Sequence, residues 1–234
     1  MKKGLIFDMD GVLIDSMPFH AEAMKIAIKE KTNRDIDKKI IYLLEGLPGS
    51  KLVEEILRRE KVDGSIDEEA IKGISKRKTE IFKSIQKSKA IDGAKELVHE
   101  LKACKCLKTV VSGSSREEIE SILEQNIGSN SFDFIISGDA LKEGQGKPDP
   151  APFQTALQQM NLKPMQAIVV ENSPLGIEAA HNARIPFVVT LNNTPLDINV
   201  DFEILKQSRE QGQEGKIFEN TKSAAGYLKQ WCCV

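Results

Sequence analysis

The sequence predicts an α/β protein with a doubly wound, Rossmann-like parallel sheet as its core domain and a helical cap domain inserted into that core. Three observations lead to this fold class. Short apolar runs alternate with amphipathic segments, a pattern typical of buried parallel strands joined by helices. The long segment between the first and second runs has no β-rich stretch. Four of the runs end in polar side chains, and open α/β sheets bind their ligands at the carboxyl ends of strands.

The individual elements follow from these patterns. Predicted strands lie at residues 4–7, 108–111, 134–137, 167–170 and 187–191. The segments between the later four carry helix start signals, so right-handed crossovers are the simplest connections. Residues 19–30, 51–59 and 67–86 have apolar side chains at helical spacing. We therefore expect a core of residues 1–14 and 90–234, a cap of residues 15–89 hinged near 14–15 and 89–92, and a polar surface segment at 207–216.

Composition and charge exclude two classes of partner. The 234 residues include 33 Lys and Arg against 35 Asp and Glu, a formal net charge of −2, which provides no field to attract nucleic acid or an anionic membrane. The apolar runs are too short to span a membrane, and Asp8 interrupts the first of them. We expect a cytoplasmic protein with neither a nucleic acid nor a membrane as its partner.

The four cysteines form two close pairs, Cys104 with Cys106 and Cys232 with Cys233. The second pair is at the end of the chain, where chains often fray, and a reducing cytoplasm disfavours disulfides. A Cys-x-Cys can bind a metal, but no His lies near this one. We expect ordinary reduced thiols.

The first polar cluster is Asp8-Met9-Asp10-Gly11-Val12, at the end of the first predicted strand. Strand alternation places Asp8 and Asp10 on one side. Two carboxylates so close raise one pKa unless a cation compensates, so the pair indicates a hard metal or a shared proton. An Asp-rich turn after a strand is the alternative explanation.

The second cluster is Ser112-Gly113-Ser114-Ser115, which lies between a predicted strand and a helix over residues 116–125. A hydroxyl at a strand end, followed by glycine and the free N–H groups of a helix N-terminus, makes an anion site. The same serines can form a capping box with Glu117 or Glu118. The two roles are compatible because they use different groups of the turn.

The third and fourth clusters supply a lysine and a pair of oxygen ligands. Lys147 precedes Pro148, which favours an extended conformation for the lysine. A lysine so held can bind a phosphate or an acid, although a lone loop lysine is usually solvated. Glu171 and Asn172 follow the fourth predicted strand, and both are possible ligands of a hard metal.

The topology of the fold brings these four strand ends together. A nucleophilic carboxylate, a second acid, a hydroxyl with N–H groups, a lysine and a metal pair are what phosphoryl transfer requires. The sequence contains no Gly-x-Gly-x-x-Gly and no P-loop, and its three His residues lack metal-ligand spacing.

In these residues the chain resembles the haloacid dehalogenase-like hydrolase superfamily, in particular the phosphatase and β-phosphoglucomutase group with a helical cap. Asp8 to Val12 matches the first motif, Ser112 the second, Lys147-Pro148 the third, and the segment from Glu171 to Gly176 the fourth. Two positions depart from the family pattern. Asn172 replaces a common Asp, and Arg184 stands where a Gly commonly ends the following helix.

The resemblance implies a role for each site residue. Asp8 attacks phosphorus, Asp10 protonates the leaving oxygen and then activates water, and Ser112 and Lys147 hold the transferring group. Mg²⁺ is the implied cofactor, and its ligands are the Asp8 carboxylate, the Asp10 carbonyl, Glu171 and Asn172. Gly113, Ser114 and His20 are candidates for binding the phosphate or the rest of a small phosphorylated metabolite.

Two other functions are compatible with part of the sequence. A β-phosphoglucomutase-type phosphosugar mutase must grip a second phosphate, and the cap segment at residues 46–50 carries no arginine to do so. The run Lys76-Arg77-Lys78 could provide this grip, but such a run is usually a solvated helix face. A receiver-type signalling module also holds an aspartyl-phosphate on a doubly wound sheet, but it lacks a helical insertion.

Overall fold

The structure, a computed structural model, describes residues 2–62, 67–142, 144–213 and 215–233. Its centre is a six-stranded sheet in the order β3-β2-β1-β4-β5-β6, in which every neighbouring pair is parallel. The strands are β1 (Gly4–Asp8), β2 (Leu107–Val111), β3 (Phe134–Ile136), β4 (Ala167–Glu171), β5 (Phe187–Thr190) and β6 (Lys216–Phe218). The five predicted strands are confirmed, and the predicted fold class with them.

Helices cover both faces of the sheet. In the described residues they are α1 (Met17–Thr32), α2 (Lys39–Leu43), α3 (Gly49–Arg59), α4 (Glu68–Ile85), α5 (Ala94–Glu100), α6 (Arg116–Asn126), α7 (Ala151–Met160), α8 (Pro174–Asn182), α9 (Glu203–Glu210) and α10 (Thr221–Cys233). Alternation along β1 sends Ile6 into one hydrophobic cluster and Leu5 and Phe7 into the other. The sheet is therefore buried on both faces, which explains why its strands are continuously apolar.

Helices α1 to α4 are the elements described between β1 and α5. Helix α4 begins where Asp67 accepts a hydrogen bond from the Ala70 N–H (2.8 Å), a usual N-cap interaction. The segment that leads into these helices and the segment that leaves them lie side by side. The Asp15 N–H donates to the Lys89 carbonyl (2.8 Å), and the Ile91 N–H donates to the Leu13 carbonyl (2.9 Å). The division into a core of residues 1–14 and 90–234 and a cap of residues 15–89 stays a prediction.

The polar segment at 207–216 is not simply a surface excursion. Helix α9 continues to Glu210, and Lys216 opens β6, which pairs with the outer side of β5. An edge strand with exposed side chains such as Lys216 and Ile217 has no continuous apolar run, so its sequence resembles a loop.

The expectation of reduced thiols is wrong. The structure pairs Cys104 with Cys233 and Cys106 with Cys232 as disulfides, with Cα–Cα distances of 5.2 and 5.3 Å. Helix α10 packs beside α5, so its last turn meets the segment that leads into β2, and Cys106 and Cys232 lie in one hydrophobic cluster. Disulfides persist mainly in oxidising compartments, so the cytoplasmic location stays a prediction.

Within the described ranges, no helix combines the length and the apolar character needed to cross a membrane.

Candidate active site

Strand register brings three of the predicted site residues to one edge of the sheet. Asp8 is the last residue of β1 and lies opposite Val111 of β2, while Phe7 lies opposite Val170 of β4. Ser112 and Glu171 each follow one of these partners. The carboxyl ends of the three central strands therefore present Asp8, Ser112 and Glu171 side by side.

Lys147 joins Asp8 to Glu171. Its Nζ donates to Asp8 Oδ1 and to Glu171 Oε1 (2.6 Å), and all three side chains are buried. Burial raises the pKa of Asp8 to about 8, with the charges of Glu171 and Asp10 adding to the effect and Lys147 opposing it. Burial alone would lower the pKa of Lys147, but the charges of Asp8 and Glu171 outweigh it and the pKa is raised. The lysine is therefore a fixed positive charge beside Asp8, the predicted nucleophile.

The other oxygen of Glu171 is fixed by the turn that follows β4. Glu171 Oε2 accepts hydrogen bonds from the N–H groups of Asn172 (2.7 Å) and Ser173 (2.9 Å) and from Ser173 Oγ (3.0 Å). Ser173 also caps α8, accepting from the Gly176 N–H (3.2 Å). A β-carbon at position 176 would clash with the Glu171 carboxylate, so this glycine permits the close packing of helix and acid.

Asp10 is the second acid of the cleft, and several groups stabilise its ionised form. It accepts hydrogen bonds from Ser16 and from Ser112 Oγ (3.2 Å), and His20 Nε2 lies 3.4 Å from its Oδ1. Burial opposes ionisation of Asp10, but the hydrogen bond and charge of His20, the hydrogen bond of Ser16 and the charge of Lys78 lower its pKa to about 2. Asp10 is therefore a carboxylate in the ligand-free protein.

His20, on α1, connects Asp10 to two residues of α4. Its Nδ1 lies 2.7 Å from Lys78 Nζ, and its ring stacks on Phe82 with centroids 3.9 Å apart. Burial lowers the pKa of His20, and the charge of Lys78 lowers it further. Neutral His20 can then accept from Lys78 at Nδ1 and direct its other N–H to Asp10.

The run Lys76-Arg77-Lys78 is divided between two surfaces. Arg77 pairs with Glu30 (2.7 Å) among exposed residues of the cap helices, as expected of a solvated helix face. Lys78 instead lines the cleft beside His20. Reading the run as one solvated face missed Lys78, because its direction depends on where α4 packs on α1.

The turn after β2 has the predicted form. Ser115 caps α6 by accepting from the Glu118 N–H (3.3 Å), so of the two predicted pairs it is Ser115 with Glu118 that forms the N-cap bond. The Ser114 N–H donates to Ser112 Oγ (3.2 Å). Gly113 and Ser114 line the cleft just before the N-terminus of α6, a position that suits an anion.

The cleft itself has a volume of about 320 Å³ and is lined by residues of both the sheet edge and helices α1 to α4. Six of the predicted site residues line it: Asp8, Asp10, His20, Gly113, Ser114 and Lys147. Ser112 lines an adjoining cleft and reaches this one through its bond to Asp10. Glu171 and Asn172 lie buried beside Asp8 and Lys147. The structure thus gathers all nine predicted residues within one region.

Glu45 is a cleft residue that sequence reasoning did not find. It follows α2, and its Oε2 accepts from Asn172 Nδ2 (3.1 Å). Burial raises its pKa well above the usual value, and the charges of Asp8, Glu171 and Asp10 raise it further. A single glutamate in the turn after a short helix has no local signal, since its partner lies on the other side of the cleft.

The donor set fits a hard divalent cation. Among the described residues no three His, Cys, Asp or Glu side chains form a metal site by themselves, and Lys147 lies between Asp8 and Glu171. The oxygens of Asp8, Glu171 and Asn172 are nevertheless the type that Mg²⁺ prefers. Asn172 Oδ1 is buried without a hydrogen-bond partner. Burial, and after it the charges of Glu171 and Asp10, raise the pKa of Asp8, and a bound cation would counter both effects.

The chain is also similar in sequence to known proteins. The sequence profile described as haloacid dehalogenase-like hydrolase matches residues 5–190. A phosphorylated carbohydrates phosphatase of Thermotoga maritima is 28% identical over 184 residues, 78% of this chain and 82% of that protein. A validoxylamine A 7'-phosphate phosphatase of Streptomyces hygroscopicus subsp. limoneus is 30% identical over 194 residues, 83% of this chain and 87% of that protein.

Among solved structures, a β-phosphoglucomutase from Clostridium difficile has a TM-score of 0.76, with 22% identity and coverage of 99% of this chain and 97% of that one. At this identity the likeness shows the fold alone. The phosphatase relatives and the mutase-like fold agree with the group to which the four motifs pointed.

Proposed function

This chain belongs to the haloacid dehalogenase-like hydrolase family, and on that premise we propose that it is a Mg²⁺-dependent phosphatase that hydrolyses small phosphorylated metabolites through an aspartyl-phosphate on Asp8. One observation carries the proposal. The Asp8 carboxylate at the end of the central strand is bonded to Lys147 and faces a cleft that it shares with Asp10. A nucleophile, a cation and a second acid thus meet in one cleft.

The first half-reaction forms the enzyme ester. A carboxylate oxygen of Asp8 attacks phosphorus, and the bond from phosphorus to the alcohol oxygen of the substrate breaks. Asp10 gives that leaving oxygen a proton. Lys147 and Ser112 hold the transferring group, and Gly113 and Ser114 line the cleft beside it.

The second half-reaction returns Asp8. Asp10, now a carboxylate, takes a proton from a water molecule that attacks phosphorus, and the bond between phosphorus and Asp8 breaks. The low pKa of Asp10 in the ligand-free protein suits this step. For the first half-reaction its pKa must rise, and a negatively charged phosphate bound next to it acts in that direction.

Asp8, the Asp10 carbonyl, Glu171 and Asn172 are the residues that would hold Mg²⁺. When bound, the cation neutralises charge on the transferring phosphoryl group and keeps Asp8 ionised. The fixed Glu171 carboxylate and the unpartnered Asn172 Oδ1 support this assignment.

The substrate we propose is a small phosphorylated metabolite with a polar body. Relatives of the chain are phosphatases of phosphorylated carbohydrates and of validoxylamine A 7'-phosphate. The cleft of about 320 Å³ is of a size to admit such a molecule, and Lys78, Ser75 and Thr79 on α4 line its cap side. Lys78 and His20 are the groups available to its polar body.

A mutase is less well supported. Leu47, Pro48 and Gly49 line the cleft at the cap loop, and none can grip a second phosphate. Lys78 is the one residue of the Lys76-Arg77-Lys78 run that lines the cleft, and it is already bound to His20. A bisphosphate would therefore lack the binding energy that keeps it in the cleft while it turns over. A receiver-type module is less well supported still, because its relatives would be signalling proteins and the relatives found are phosphatases.

The test is phosphate release from a panel of sugar phosphates, nucleoside monophosphates and phosphoglycolate, measured with Mg²⁺ and with a chelator. The proposal expects many turnovers on at least one monoester, dependent on Mg²⁺, with less than about one per cent of the rate left in Asp8→Asn. With β-glucose 1-phosphate and a trace of the 1,6-bisphosphate, phosphate should appear at least as fast as glucose 6-phosphate. Isomerisation more than about tenfold faster than phosphate release, ~1.4 kcal/mol in barrier, would instead identify a mutase.

A further inference from the structure

Glu45 and Asn172 form a buried contact between the cap and the sheet edge with two oxygens left over. Asn172 is 2% exposed, and its Nδ2 donates to Glu45 Oε2 (3.1 Å). The remaining oxygens, Glu45 Oε1 and Asn172 Oδ1, are both buried and have no hydrogen-bond partner. A buried acceptor without a partner is unfavourable. These two oxygens, on adjacent side chains, therefore favour the entry of a hydrogen-bond donor or a cation.

The backbone holds Glu45 in this position. The next residue, Gly46, has φ of 103°, a conformation that favours glycine. A β-carbon at position 46 would lie 2.9 Å from Lys147 Cβ, so glycine permits the loop to pack directly on the lysine of the catalytic cluster. The placement of Glu45 against Asn172 is therefore built into the loop.

The charges around Glu45 are not balanced by protein groups. Lys147 is paired with Asp8 and Glu171, and His20 lies against Asp10. None of the ion pairs formed by the described residues includes Glu45. Ionised Glu45, with no cation of its own and close to Asp8 and Glu171, would destabilise its contact with the sheet edge unless a positive charge entered.

We propose that Glu45 is a cap-borne contributor to the metal site: its carboxylate, with Asn172 Oδ1, binds the divalent cation directly or through a metal-bound water. A hard cation accepts mixed carboxylate and amide oxygens, and it would satisfy both unpartnered atoms at once. The inference rests on the proposed function for the identity of the cation.

The consequence is a coupling between metal and cap. Glu45 lies between α2 and α3, whereas Asp8, Glu171 and Asn172 belong to the sheet edge, so a cation bound by both groups bridges the cleft. Metal binding then favours the closed arrangement of the cap, and closure strengthens metal binding by the same factor.

The test measures metal binding without substrate. Mn²⁺ serves as the probe, its free concentration read by electron paramagnetic resonance, with Mg²⁺ calorimetry alongside. Glu45→Gln keeps the shape of the side chain and should weaken Mn²⁺ binding at least ~tenfold. Glu118→Gln removes another acid that lines the same cleft and, as the matched control, should change binding less than ~twofold. Circular dichroism verifies that both variants fold.

A charge exchange provides a second variant. Asn172→Asp should tighten Mn²⁺ binding, and in the double variant Glu45→Gln with Asn172→Asp the new glutamine can donate to the new carboxylate, so binding should return to within about threefold of the parent. Unchanged Mn²⁺ affinity in Glu45→Gln would overturn the proposal. So would unchanged affinity with a raised KM, which would assign Glu45 to the substrate.

The two proposals can fail separately. Loss of Mn²⁺ affinity in Glu45→Gln, found in a protein that hydrolyses no monoester, would support the metal contact and refute the phosphatase. Hydrolysis by Glu45→Gln with parental Mn²⁺ affinity would do the reverse.

Discussion

In the absence of a divalent cation the stability of this protein should fall as the pH rises, and Asp8 is the cause. Its pKa is raised from 3.8 to about 8. Between these values the unfolded chain has lost the Asp8 proton while the folded protein keeps it. The free energy of unfolding therefore decreases with increasing pH through this window, and the stabilising contribution is fully present only below the lower value.

The magnitude follows from the width of the window. Each pH unit is worth about 1.36 kcal/mol, so the rise from pH 5.5 to pH 8 should remove about 3 kcal/mol from the free energy of unfolding of the metal-free protein. Glu45, whose pKa is also raised, acts in the same direction. Lys147 does not contribute, since its raised pKa matters only above its usual value.

The assay is urea unfolding at the two pH values, with a chelator and with saturating Mg²⁺. Asp8→Asn is the control, because pH effects common to both proteins, including that of buried His20, cancel in the difference. Mg²⁺ should abolish the pH-dependent difference by favouring ionised Asp8. If the stability of the metal-free parent relative to Asp8→Asn does not fall between pH 5.5 and pH 8, the pKa of Asp8 is not raised in the folded protein.

Three further predictions concern single residues or pairs. Asp10→Asn should lower kcat by on the order of 10²–10⁴ while Mn²⁺ affinity changes little, and a kcat within threefold of the parent would contradict the role of Asp10. Arg184 has φ of 59°, a conformation that favours glycine. Arg184→Gly should therefore raise the free energy of unfolding by ~0.5–1 kcal/mol, whereas Arg184→Ala should not. Equal free energies of unfolding for the two variants in urea would show that the backbone is not strained at this position. Replacing Cys106 and Cys232 by alanine should lower the free energy of unfolding by less than about 1 kcal/mol, because the other disulfide closes nearly the same loop. Replacing all four cysteines should lower it by about 3–5 kcal/mol. Similar losses in the two variants would contradict the pairing.

The central sheet and the position of the site could be predicted because each depends on residues that are close together in the sequence. A parallel strand buried on both faces must be apolar throughout, and β1, β2 and β4 each end in a polar residue or run directly into one. Register then places Asp8 beside Ser112 and Glu171 without any further information. Local patterns were sufficient wherever the signal lay within one strand and its following turn.

What the sequence could not provide depends on contacts between distant segments. Glu45 and Asn172 are 127 residues apart, and the two cysteine pairs are 129 and 126 apart. Helix α2 has five residues, too few for a helical period to be visible, and β6 is an exposed edge strand. Such features are decided by how the cap and α10 pack, not by the pattern of any one segment.

If Asp8 carries the phosphoryl group, acid quenching of a single turnover should trap it there. Protein in excess over a reactive phosphomonoester is mixed with Mg²⁺, quenched in acid within the first turnover, digested and examined by mass spectrometry. The peptide containing Asp8 should gain one phosphoryl group, the modification should decay as phosphate appears, and Asp8→Asn should acquire none. Phosphate released at the full rate with no modified Asp8 peptide at any time would contradict this role of Asp8.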